Sequence, residues 1–138
     1  MSVNSTDKLA QLISKRRKCL EQLRDVGRKQ LELIAAGQMG DLLRLLAAKQ
    51  QLLSAVELME KELAPFQREN AEQRVWASME LRQRCAADAE ACRALLAEVM
   101  EIEVACEQNA TLQRDDVAGQ LKTMTAAGRV RAAYLANG

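Results

Sequence analysis

Gly37–Phe66 reads GQMGDLLRLLAAKQQLLSAVELMEKELAPF, and its spacing decides the fold. Counted in sevens from Leu42, the first core position holds Leu42, Lys49, Val56 and Leu63. The fourth holds Leu45, Leu52, Met59 and Phe66, and the fifth adds Leu46 and Leu53. A stripe of three positions per heptad is too wide for a two-stranded coiled-coil seam and suits the inward face of a bundle helix.

The same pattern lies upstream. From Leu9, the first position holds Leu9, Arg16, Leu23 and Gln30, and the fourth holds Leu12, Cys19, Val26 and Leu33. Ile13, Leu20, Gly27 and Ile34 follow at the fifth. This predicts a helix over about 6–36, capped by Ser5 or Thr6 after a disordered polar lead-in at 1–5. Gly27 inside it predicts close approach of a neighbouring helix, because glycine otherwise costs about 1 kcal/mol against alanine there. Gly37 suits the left-handed residue that ends a helix, and Asp41 suits the cap of the next. A loop of about four residues makes these two helices antiparallel neighbours, with level residues summing to about 76. Arg16 is therefore expected to pair with Glu60.

Pro65 lacks an N–H and clashes with the carbonyl of Lys61, which predicts a break or sharp kink. Beyond it, Gln67 to about Arg74 reads as surface chain. Val75, Trp76, Met79 and Leu81 read as a short helix across the end of the hairpin. A final long helix is expected from about Cys85, with Cys85, Cys92, Val99 and Cys106 at one position and Leu95 and Ile102 at another. The next core slots hold Asn109, Gln113 and Asp116, and apolar residues resume on a shifted face at Val117, Leu121 and Met124. Gly128 is the expected stop, with 128–138 as a flexible tail. The expectation is one all-α domain over 1–138: an antiparallel bundle of three long helices with a short extra helix or irregular connection after Pro65.

Composition agrees. The 138 residues are 49% hydrophobic and only 2% aromatic, with one proline. That is a helix-forming mixture, poor in the residues strands favour. Twenty basic and nineteen acidic residues leave a formal charge of +1, with no global pull toward nucleic acid or an acidic membrane. There is no histidine, so the usual general base and the commonest metal ligand are absent, as is the Glu-x-x-His signature of di-iron bundles. Cysteines seven and fourteen residues apart on one helix stand roughly 10 and 21 Å apart, too far for a shared metal or disulfide. Small core residues are the simpler reading of them. The basic run Lys15–Lys18 has no interleaved aromatics and has Glu21 and Asp25 near at hand. No apolar run is long enough for a membrane span, and no signal-peptide core opens the chain. The sequence is expected to be non-enzymatic and cytoplasmic, without cofactor or metal. Glu103, beside the core stripe, is the acidic residue most worth locating.

The layout resembles the flagellar export chaperones of the FlgN family, including FliT-like members. The resemblance rests on the Ala35-Ala36-Gly37 turn, the Gly40-Asp41 opening of a leucine-rich helix, and its Lys49-Gln50-Gln51-Leu52-Leu53 segment. The proline-interrupted connection and the Glu107-Gln108-Asn109 segment of the last helix complete it. Asn109 matches one of the family's paired asparagines, whereas Thr111 to Arg114 lack the second. The resemblance implies a type III secretion chaperone that binds C-terminal helices of hook-associated proteins and delivers them to the export apparatus. It places client binding on Asn109, Leu112, Gln113, Val117, Leu121 and Met124, with Tyr134 following. The alternative is a helical adaptor that self-associates, as a possible homodimer, through its last helix.

Overall fold

A computed structural model describes the backbone of residues 3–137, and the side chains of residues 3–116, 118, 119, 122, 128 and 129. Its described residues are helical bundle throughout: α1 (Val3–Ala36), α2 (Met39–Gln67), a single 3₁₀ turn (Ala71–Gln73) and α3 (Met79–Asn137).

The turn between α1 and α2 is tighter than the spacing suggests. Gly37 takes φ +69°, the left-handed conformation expected of it. Its N–H donates to Ile34 O and that of Gln38 to Leu33 O, a Schellman ending that satisfies two otherwise orphaned carbonyls. The chain reverses within two residues, so Gln38, not Asp41, occupies the N-cap. Asp41 instead sits in the first turn and pairs with Arg44 at 2.9 Å.

Other boundaries also differ from the reading above. α1 begins at Val3, not near residue 6. Thr6 is fully buried inside it, with its hydroxyl 2.6 Å from Val75 O and 2.9 Å from Val3 O. That hydroxyl ties the start of α1 to the chain entering α3. Pro65 does not end α2. It lies in the last turn, and Leu63 and Phe66 are buried on either side of it, which holds the helix to Gln67. Val75 and Trp76 form no helix; they lie in the irregular chain between the 3₁₀ turn and α3, Trp76 packing against the core and Val75 exposed. α3 starts at Met79, where Ser78 Oγ accepts the Leu81 N–H at 3.1 Å and caps it. Gly128 does not stop α3, whose backbone continues to Asn137. A lone glycine costs about 1 kcal/mol, less than the surrounding alanines and straight-chain residues sustain.

α1 is the shared partner. It packs against both other helices, while among the described residues no Cα of α2 comes within 8 Å of one in α3. α2 runs antiparallel to α1 in the expected register: Arg16 meets Glu60, with Nε and Oε1 2.5 Å apart. The N–H is not aimed at that oxygen, so the contact is an ion pair without hydrogen-bond geometry. α3 runs parallel to α1, as Cys92 to Ile13 O and Cys106 to Gly27 O show. Gly27 is the point of closest approach: a Cβ there would lie 2.7 Å from Ile102 Cγ2.

The apolar core falls into two neighbouring clusters. One joins Leu9, Ala10, Leu12, Leu63, Phe66 and Cys85; the other joins Leu20, Leu23, Cys92 and Leu95. Above them a polar layer crosses the interior, with Leu33, Ile34 and Cys106 buried around and beyond it. Lys49 is buried and donates to Gln30 Oε1 at 3.0 Å and to Glu103, joining all three helices. Burying an ammonium is costly unless it is paired and hydrogen-bonded, and here it meets a carboxylate and an amide oxygen.

Candidate partner-binding surface

The cysteines are structural. All four are buried free thiols, and burial pushes each one's pKa up, away from the reactive thiolate. Three sit within 3.6–3.7 Å of a neighbouring helix's carbonyl: Cys19 at Leu52, Cys92 at Ile13, Cys106 at Gly27. Among the described residues no group of three or more metal-ligating side chains gathers. No described helix is long and apolar enough to cross a membrane.

The two arginines of the basic run are occupied, whereas Lys15 and Lys18 have no ion pair among the described residues. Arg16 faces Glu60, and Arg17 bridges Asp88 at 2.8 Å and Glu21 at 3.1 Å. Hydrogen bonds to Asp88 first, then Glu21, raise the Arg17 pKa above its ordinary value. Farther along α1, Arg28 pairs with Glu98.

Two surfaces bear on partner binding. The first is the far part of α3. Gly27 lies level with Ile102 and Cys106, and α1 ends nine residues later at Ala36. By that offset α3 passes the α1–α2 turn near residues 111–115. Roughly 22 residues, Asp116 to Asn137, continue beyond, ~33 Å at ~1.5 Å per residue. This stretch carries most of the residues expected to bind a partner. Asn109 is exposed, Leu112 is 65% exposed and Gln113 is half-buried. Val117, Leu121, Met124 and Tyr134 follow on the same helix, but their side chains lie outside the described residues.

The second surface lies at the opposite end, between α2 and α3. Leu9 and Ile13 of α1, Leu63 and Phe66 of α2, and Trp76 line a cleft there, with Arg16, Arg74, Arg82 and Arg93 around it. Sequence reading does not single out this cleft. Its arginines come from α1, the connection and two turns of α3, and only the tertiary fold gathers them.

Comparison of the chain with protein-family models, curated proteins and solved structures gives no match.

Proposed function

We propose that this chain is a chaperone for a helical client segment, of the flagellar type III export kind its layout resembles. The observation that carries the reading is the run of α3 past the end of the hairpin. Within the bundle, α3 buries one face against α1; beyond about residue 115 neither α1 nor α2 is level with it. A single helix in water gains little from propensity alone and is stabilised by packing of its apolar face. An amphipathic client helix laid along Leu112, Val117, Leu121 and Met124 supplies that packing. Asn109 and Gln113 fix its register by hydrogen bonds. Held in this way, a client's own assembly stripe is covered until export. Cytoplasmic action and hand-over to an export apparatus belong to the same proposal.

The test compares the intact chain with one truncated after Ala110 as bait for purified hook-associated proteins. Capture by the intact chain and loss with the truncation is the expected result. Capture by both keeps the chaperone but removes the site. Capture by neither, with a dimer that hides residues 112–124, transfers the surface to a self-associating adaptor.

A further inference from the structure

The cleft at the other end of the bundle has a chemistry of its own. It comprises two adjoining hollows of about 310 and 190 Å³ that share Leu9, Ile13, Arg74 and Ala89. The floor is apolar, and Phe66 and Leu63 at its base are nearly inaccessible. The rim carries four arginines, and among the described residues no carboxylate lines either hollow.

These cations are incompletely satisfied. The Nε atoms of Arg16 and Arg74 are buried without an aligned hydrogen-bond acceptor among the described residues, although Arg16 is already ion-paired with Glu60. Arg74 donates from Nη2 to Phe66 O at 2.7 Å and meets no acid among the described residues. Arg93 pairs only with exposed Glu90, and the Arg82 guanidinium has no ion pair among the described residues. Like charges around a low-dielectric floor repel one another, and an incoming anion is strengthened by the same surroundings.

We propose that this cleft docks an acidic amphipathic helix of a partner protein. Apolar side chains of that helix lie over half-buried Ile13, Trp76 and Ala89, with Leu63 and Phe66 as the floor beneath, while its carboxylates meet Arg74, Arg82 and Arg93. Arginine forks suit carboxylates through paired N–H donors. The occupant is elongated because the lining continues along α3. Ala89 and Arg93 lead at helical spacing to Leu96 and Met100, which are 39% and 61% exposed. A nucleic acid fits poorly: stacking needs a free aromatic face, and Phe66 is 8% exposed while Trp76 packs against the core cluster. The site is independent of the chaperone reading and lies at the other end of the molecule from the surface that reading uses.

The chain's single tryptophan lines the cleft, so the full-length protein carries its own reporter. The probe is a short fluorescein-labelled helical peptide of alternating glutamate and leucine pairs, followed by anisotropy and by Trp76 emission. Binding with a change in Trp76 emission is expected, and the same peptide with glutamine for glutamate is expected to fail. Arg74→Gln should weaken binding about tenfold, the loss of one charge-assisted hydrogen bond. Arg82→Gln and Arg93→Gln, at exposed positions, should weaken it about threefold each. Circular dichroism checks that each variant folds, and Arg82→Gln removes no side-chain bond seen in the bundle. Leu112→Asp should leave peptide binding unchanged, which separates this site from the client surface. The proposal is overturned if the glutamine peptide binds equally, or if the arginine variants bind as the parent does. It is also overturned if a single-stranded oligonucleotide displaces the peptide at equal concentration, or if sedimentation shows a dimer that excludes it.

Discussion

The two parts of α3 differ in partnership more than in kind. From Met79 to Cys106 it lies along α1, with Cys85, Cys92, Leu95 and Cys106 buried on one face. Past about residue 115 the helix continues without either hairpin helix beside it. The change is written in the core slots: after Cys106 they hold Asn109, Gln113 and Asp116, which are exposed, half-buried and exposed. An apolar seam gives way to polar residues where the bundle stops, while helix propensity carries the backbone on. Backbone continuity and core membership are thus separate properties of one helix, set by different features of its sequence.

The sharpest way to break this comparison is one substitution made twice. Leu95 is 7% exposed and Leu112 is 65% exposed on the same helix. Leu95→Ala removes buried methyl groups and leaves a cavity, so it should cost about 2–4 kcal/mol in urea unfolding. Leu112→Ala should change the same quantity by no more than about 0.5 kcal/mol. Equal losses would mean that the far part of α3 belongs to the cooperative core.

Glycines give the next test. Gly27→Ala gains about 1 kcal/mol of helix propensity but puts a Cβ 2.7 Å from Ile102 Cγ2. That methyl is branched at the β carbon and cannot swing away cheaply. The net expected loss is about 1–2 kcal/mol, typical of overpacking, with partial recovery on adding Ile102→Ala. At Gly119 a Cβ meets nothing within 4 Å. Gly119→Ala should therefore raise helical circular dichroism without lowering the unfolding midpoint.

Much of this contrast was legible from spacing. The heptads placed Leu9, Leu20, Leu23, Leu63, Leu95 and the cysteines inside, and the turn arithmetic brought Arg16 to Glu60. The close approach at Gly27 followed from the cost of a glycine there. Helix ends were read less well, because they depend on local competition that spacing does not report. Buried Phe66 outweighed Pro65, and Ser78 started α3 about two turns before its first core cysteine. The Gln30–Lys49–Glu103 contact and the arginine cleft required the offset between parallel α1 and α3. That offset depends on the irregular connection from Arg68 to Ser78, whose path no periodicity encodes. Which residues hold a partner on the far part of α3 rests on the family resemblance.

The cysteines read out the packed part alone, since none follows Cys106. Burial raises each thiol's pKa in the folded chain. The unfolded thiols ionise near the ordinary value of about 8.5, where the folded ones stay protonated. The unfolded state then binds fewer protons, so stability is fully present below that pH and falls as pH rises through and beyond it. Urea midpoints measured from neutral to alkaline pH should decline in the parent and decline less in a Cys92→Ala, Cys106→Ala variant. Parallel slopes would place the alkaline loss in other groups.

The smallest expected effect concerns the ion pair that fixes the α1–α2 register. Arg16 and Glu60 have side chains 21% and 40% exposed, so water screens their attraction. Their contact also lacks hydrogen-bond alignment, which keeps it in the range of surface pairs, about 0.2–1 kcal/mol. A double-mutant cycle of Arg16→Met and Glu60→Gln should give coupling of that size, weakening as salt is added. The comparison pair is Lys49 with Glu103, where the Lys49 side chain is 9% exposed, that of Glu103 is 44% exposed, and the ammonium also holds Gln30. Its cycle should show stronger coupling and weaker salt dependence, because removing Glu103 leaves a buried charge with one neutral acceptor. If both cycles return the same small, salt-sensitive coupling, the interior of the bundle near Lys49 is as wet as its surface. The polar layer would then mark the end of the cooperative core one to two turns before the α1–α2 turn does.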